Sequence, residues 1–361
     1  MSFERGSITL RVFKARPGST MPSDAIERIA KDAIQPMELI PEEGSCGWAT
    51  GRYLLDRNIT EESVTVAGRI RLTLVKAEKK IPAALFKAEC KQEELAALSA
   101  SGKNFLNRQE RSEIAKAVKD RMFPAMPPSL SGIDVVRSDT EFYSTASSDK
   151  QVDLLTSSWK KTIGSEIFPY TPTLAAQMLG KYDLKSLKST SFSAEMTDAE
   201  VEQDLGLEFL TWLWYYSEVC GGINDNYGFA LEGPFTFVHE GNGAHEIVVR
   251  KGNPGIAKEA KSALLAGKKL KKAKLTVVKG DLAWTCSIDG REWTFGSLKL
   301  PKSEMVDPVG VFEERMLSIG YFIEAIEGVF KKFLSIRTDG AKWNKEIEGI
   351  RSWVEDRAEQ A

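Results

Sequence analysis

An α+β fold of more than one domain is what the sequence predicts, with mixed antiparallel sheets and long helices. Three observations lead there. Short stretches alternate apolar and polar residues, as half-buried strands do, and Ser7–Lys14 is the first of them. Longer stretches repeat their apolar residues at helical spacing, most extensively over Val311–Leu334. The 361 residues are about twice the length of a typical domain.

The elements of the first half follow in order. After the Ser7–Lys14 strand, Ser23-Asp24 opens a helix with Ile26, Ile29, Ala30 and Ala33 on one face, stopping before Pro36. Val64–Lys76 alternates throughout and predicts one long strand. Pro82 stands as a first-turn proline of a helical segment over 82–122. Ser101-Gly102 divides that segment in two. The second helix is rich in Arg108, Arg111, Lys116, Lys119 and Arg121. Ile133–Val136 and Glu141–Ser144 predict short strands, and Lys150–Ile163 a helix closed by Gly164. The Pro-rich connection Phe168-Pro169-Tyr170-Thr171-Pro172 is the expected domain boundary.

In the second half, Thr197-Asp198-Ala199-Glu200 has the form of a capping box before a helix that ends at Gly221-Gly222. Strands are expected at Tyr227–Leu231, Phe235–His239 and His245–Arg250, then a helix at Ile256–Leu265. Lys274–Val278, Ala283–Ile288 and Glu292–Phe295 predict further strands, the last two joined by an Asp289-Gly290 turn. A terminal helix, Lys342–Arg357, carries Trp343, Ile347, Ile350 and Val354 on one stripe. That stripe must dock, either on its own domain near Trp212 or on a second subunit, and the second is favoured. The expected domains are residues 1–170, 171–336 and the helix 337–361.

Composition narrows the chemistry. No run of 18 apolar residues occurs and the first residues intersperse charge, so no membrane span or signal peptide is expected. Four well-separated cysteines suggest free thiols in a reducing cytoplasm. The formal net charge is -2, but its distribution is uneven. Residues 250–279 carry ten Lys/Arg against Glu259 alone, whereas residues 181–246 carry twelve acids against three lysines. Such bipolarity suits one surface to a polyanion.

Each candidate site has a plainer alternative. The run Lys268-Lys269-Leu270-Lys271-Lys272-Ala273-Lys274, just before a strand, suits phosphate contacts or a solvated loop. Arg250 and Lys251, ahead of Gly252-Asn253-Pro254-Gly255, extend it. Phe209, Trp212, Trp214, Tyr215 and Tyr216 could stack on bases, but flanking acids including Glu208 point to core or subunit interface. His239 and His245 face across a Gly-Asn-Gly loop, a plain hairpin more than a metal site. Glu78-Lys79-Lys80 with Asp56 sketches a metal-dependent nuclease, a triplet that chance also supplies. No P-loop or GxGxxG occurs, so no nucleotide cofactor is expected, and no metal or catalytic residue either.

An ordered series of segments resembles the RdgC family of recombination-associated DNA-binding proteins. It runs from Gly47-Trp48 through Lys79-Lys80-Ile81-Pro82, Arg111–Pro124 and Ile133-Asp134 to the helix after Ala146-Ser147. It resumes at Gly228-Phe229-Ala230-Leu231, Val248-Val249-Arg250-Lys251, Leu265-Ala266-Gly267-Lys268 and the long final helix, covering about residues 5–335. The resemblance implies a ring-shaped α+β homodimer that encircles duplex DNA without sequence preference and restrains RecA-promoted recombination. It implies no catalytic residue and a cytoplasmic, nucleoid-associated protein. The basic loop carries over onto Arg250, Lys251, Lys268 and Lys269. Ala125–Leu130 departs from the family in lacking the basic and aromatic residues of the subunit contact.

The expected DNA surface is therefore Arg250, Lys251, Lys268, Lys269, Lys271, Lys272 and Lys274, with Arg108, Arg111, Lys119 and Arg121 from the helical segment. The alternatives are a metal-dependent nuclease and a protein-binding adaptor.

Overall fold

The computed structural model describes residues 3–41, 43–180, 182, 184, 187–193, 195–196, 203–239, 246–250 and 258–359. The fold is α+β, and its strand-to-strand ladders are antiparallel. Two compact units share the chain. The larger comprises Met1–Thr20, Thr65–Ile70 and Asp134–Ala361, the smaller Met21–Val64 and Arg71–Ile133.

The first strand, β1 (Ile8–Ala15), lies in the larger unit. The smaller unit follows with α1 (Ala25–Lys31), β2 (Ser45–Thr50) and α2 (Glu61–Val64). After β3 (Thr65–Val66), β4 (Arg69–Lys79) leads into α3 (Ala83–Ser101) and α4 (Arg108–Met122). Then come β5 (Pro128–Ser138), β6 (Glu141–Ser144), α5 (Asp149–Ile163), β7 (Ile167–Pro169) and α6 (Pro172–Leu179). Next are α7 (Leu205–Val219), β8 (Ile223–Asn224), β9 (Tyr227–Val238), β10 (Glu246–Val249) and α8 (Lys258–Leu265). The chain closes with β11 (Lys269–Lys279), β12 (Leu282–Asp289), β13 (Thr294–Lys299), α9 (Pro308–Arg337) and α10 (Gly340–Glu359).

This division differs from the sequential one expected. Pro169 is not a linker residue. The stretch before Pro172 is extended, as residues near proline favour, and β7 zips onto β1 with Phe13 opposite Pro169. A second difference lies at Val64–Lys76. Its alternation conceals a turn, because Ala67 and Gly68 both take positive φ, 47° and 72°. Two such residues make the tight turn that suits a hairpin, and Val66 pairs with Arg69 across it.

In the larger unit the strands run β10-β9-β11-β12-β13-β1-β6-β5. Along β11, Ala273, Leu275 and Val277 are buried while Lys272 and Lys274 are exposed, the alternation that the pleat imposes. The core beneath is aromatic. Every residue of α7 from Leu205 to Tyr216 is buried. Trp212 stacks on Tyr216 at 4.9 Å, and Phe209 meets Phe330 edge-on at 5.0 Å. Asp204 caps this helix, its carboxylate accepting from the Gly206 and Leu207 amides; the capping box expected at 197–200 lies outside the described residues.

The helix α10 docks inside the same unit. Trp343, Ile347, Ile350, Trp353 and Val354 are all buried. Trp353 lies edge-on to Trp214 at 4.9 Å, and the Trp212 indole donates to Glu346 at 2.7 Å. This corrects the favoured dimer role and the separate 337–361 domain: the apolar stripe is already covered by α7 and α9. Burying two tryptophans and three aliphatics there contributes several kcal/mol, at about 25 cal/mol per Å².

The smaller unit packs β2 antiparallel to β4, with Trp48 opposite Leu74. Its core includes Ile34, Ile40, Ala49, Val75 and Ala77. Gly47 permits the close approach of the α1 exit, since a Cβ there would lie 2.6 Å from the Ile34 backbone. α3 contains no buried residue and ends at Gly102 in the left-handed conformation that glycine allows. α4 buries only Val118 and Met122. Among the described residues, no helix is long and apolar enough to cross a membrane.

Candidate nucleic-acid interface

The helix α4 starts where its sequence dictates. The Asn107 side chain accepts from the Glu110 amide at 2.8 Å, and Glu110 accepts in return from the Asn107 amide at 2.8 Å, a reciprocal cap. Glu110 also binds Lys103 at 2.5 Å. The Lys103 contact, then the Asn107 amide, hold its carboxyl below the usual carboxylate range.

Val118 and Met122, one turn apart, give α4 its inner side. Lys116 lies on the outer side, Arg108 and Lys119 stand three turns apart on its flank, and Arg111 lies two turns before Val118 on the inner line, ahead of the buried contacts. All four are exposed. Most of the nearby acids are engaged elsewhere, with Asp120 left exposed beside Lys119. Arg121, one of the expected DNA contacts, donates to Glu93 at 2.6 Å and Glu89 at 2.8 Å on α3. Glu113 accepts from Gln109 at 3.1 Å. Among the described residues, Arg108, Arg111, Lys116 and Lys119 form no ion pair. The result is four exposed cations without ion pairs on one helix.

The basic tract of the larger unit meets a different fate. It is not a loop. β11 begins at Lys269, and irregular register against β9 between Leu270 and Lys274 accommodates the lysines. Lys268 and Lys269 are buried, which corrects their assignment to the DNA surface. Lys269 Nζ lies 3.1 Å from Glu208, and Arg337 Nε donates to the other oxygen of that carboxylate at 2.8 Å. Glu208 has no exposed surface at all. A carboxylate in an aromatic core demands such partners, because an unpaired buried charge is prohibitively costly. Its place beside the aromatics makes Glu208 look like a flanking acid in the sequence. The signal was present in its position within an otherwise apolar helix, but its two cations lie 61 and 129 residues away.

Lys272 and Lys274 are exposed, paired with Asp289 at 3.4 Å and Glu232 at 2.7 Å. Lys271 is half-buried and forms no ion pair among the described residues. Arg250 is exposed after β10. Lys251, the Gly252–Gly255 turn, and His245 with its Gly-Asn-Gly loop lie outside the described residues.

The nuclease candidates sit in the smaller unit. Glu78 is clamped by Lys76 and by Lys80, the latter at 2.6 Å, which lowers its pKa to about 2. The Asp56 carboxylate accepts from Thr50 Oγ1 at 2.6 Å and from the Asn58 amide at 3.3 Å, tying down a loop. Neither belongs to a cluster of three or more metal-ligating side chains among the described residues. The aromatic segment of α7 is core, with no ring available to a base.

Comparison with known proteins adds no assignment: no family model and no curated protein matches the chain.

Proposed function

We propose that the protein binds duplex DNA through its phosphate backbone, without sequence preference, and has no catalytic role in doing so. The observation that carries this reading is the set of α4 cations Arg108, Arg111, Lys116 and Lys119, exposed and without ion-pair partners among the described residues. Cations left to solvent in this way release condensed counterions from a polyanion when it binds. Arg250 contributes further exposed charge. The resemblance to the RdgC family extends the proposal. It supports a homodimer that encircles or clamps the duplex, sits on the nucleoid and impedes RecA-promoted strand exchange.

Fluorescence anisotropy with unrelated duplexes at several salt concentrations tests the reading. The intact protein should bind all of them alike. Replacing Arg108, Arg111, Lys116 and Lys119 together by Ala should weaken binding about tenfold or more. It should also flatten the log–log salt slope by roughly 3 to 4 units, at about 0.9 per lost phosphate contact. All four side chains are exposed, so the fold should survive, and circular dichroism checks that. An unchanged titration would remove α4 from the DNA surface. Light scattering with and without duplex reads the dimer.

A further inference from the structure

The larger unit contains a second polar feature that DNA backbone binding does not explain. It is a cleft of about 570 Å³ bounded by β1, β11, β12, β13 and the first turn of α5. Apart from Gly296, every residue lining it is polar or charged, and none is aromatic. Its cations are Arg11, Lys271, Lys272 and Arg291, and its carboxylates are Asp149, Asp289 and Glu292. Hydroxyls come from Thr9, Ser147, Ser148, Ser287 and Thr294.

Lys271 is the cation of this cleft without an ion pair among the described residues, and Arg11 is only partly committed. Arg11 is 3% exposed. One of its terminal nitrogens binds Glu292, but its Nε has no hydrogen-bond partner among the described residues. Lys271, by contrast, forms no ion pair among the described residues. The other two are engaged, Lys272 with Asp289 at 3.4 Å and Arg291 with Asp204 at 2.6 Å. The wall made by α5 is fixed by its own capping box: Ser148 accepts from the Gln151 amide, and Gln151 accepts from the Ser147 and Ser148 amides. The positive end of that helix faces the same region.

From this lining we infer that the cleft binds a phosphorylated sugar. The phosphate lies with Arg11 and Lys271, whose hydrogen bonds to an anion are charge-assisted. The volume exceeds what one phosphate needs and matches a small-molecule pocket, which typically spans about 300–1,000 Å³. The remaining groups suit a polyol. Asp149, Asp289 and Glu292 accept from sugar hydroxyls, and the serine and threonine hydroxyls both donate and accept. A nucleobase is a poorer occupant, since no aromatic or apolar side chain is there to stack against it. A pentose phosphate could arrive free or as the 5′ end of a DNA strand. The chemistry is shared, and the site is distinct from the α4 cations.

Titration calorimetry and ligand-observed NMR with ribose 5-phosphate, ribose and inorganic phosphate test the assignment on the full chain. Ribose 5-phosphate should bind saturably, more tightly than either fragment. Lys271→Ala should weaken it about tenfold, as loss of one charged hydrogen bond does. Ser287→Ala, at an exposed hydroxyl, should weaken it less. Competition by a 5′-phosphorylated but not a 5′-hydroxyl oligonucleotide would identify a DNA end as the source, and competition by neither a free sugar phosphate. Four outcomes overturn the proposal. They are no saturable binding up to about 10 mM, unaltered binding in Lys271→Ala, phosphate binding as tightly as the sugar phosphate (an adventitious ion only), and ribose alone binding as tightly. The quadruple α4 variant should leave ribose 5-phosphate binding unchanged, so failure of this proposal and failure of the DNA-binding one read out separately.

Discussion

Lys269 and Lys119 bear the same charge and lie in comparably basic stretches, yet the fold uses them in opposite ways. Lys269 opens a strand whose neighbours are aromatic, and its ammonium is consumed by Glu208 together with Arg337. Lys119 lies on a helix that buries two residues, so its ammonium stays in water with the charged groups of Arg108, Arg111 and Lys116. Density of positive charge along a chain therefore does not identify a polyanion surface. What identifies it is charge left over after the acids have chosen partners. By that criterion the denser tract, residues 268–274, is the weaker candidate.

The largest expected effect breaks the buried side of this comparison. Glu208→Ala leaves Lys269 and Arg337 uncompensated inside an aromatic core and should destabilise the larger unit by about 3–5 kcal/mol. Urea denaturation followed by tryptophan fluorescence measures it. A change below about 1 kcal/mol would mean that the triad is hydrated and that Lys269 is accessible after all.

Next is the seam between α7 and α10 in the same unit. Trp353→Ala empties a site between Trp214 and Tyr215 and should cost about 3–5 kcal/mol. It should leave the mass in light scattering unaltered, because the residue packs within its own unit. Dissociation of a dimer in this variant, with folding intact, would return α10 to the subunit contact.

The smallest effect belongs to the exposed side. Arg121→Ala removes the contacts to Glu89 and Glu93 across α3 and α4, and exposed pairs of this kind are worth about 0–1 kcal/mol. Stability should barely move. DNA affinity should fall, because Glu89 and Glu93 then compete with phosphate for the remaining cations of α4. An affinity that rises instead would show that the helix pair is not the DNA surface.

Much of the secondary structure was legible in single residues. Gly164 ended the helix expected there because only a left-handed residue closes it, and Gly102 split 82–122 for the same reason. The α7 aromatics read as core because acids flank them and nothing basic does. Two elements were misread for local reasons. Ala67-Gly68 makes a hairpin turn with Ala where Asn, Asp or Gly usually stands, and the lysines of 268–274 hide a strand by interrupting its alternation. In the candidate interface, Arg108, Arg111 and Lys119 were legible by composition. That Arg121 is paired was not, since Glu89 and Glu93 sit a full helix earlier.

By itself, then, the sequence determined what local physics determines. Backbone preferences, caps and apolar periods depend on residues within a few positions of one another, and these specified an α+β chain with a basic helix and an aromatic one. Only the tertiary structure decided which charges remain available. Ion pairing depends on distance in space, and Glu208 finds Lys269 and Arg337 only once α7, β11 and α9 have packed. The polar cleft around Arg11 is of the same kind. Its walls come from β1, α5 and the β11–β13 strands, and no spacing along the chain brings them together.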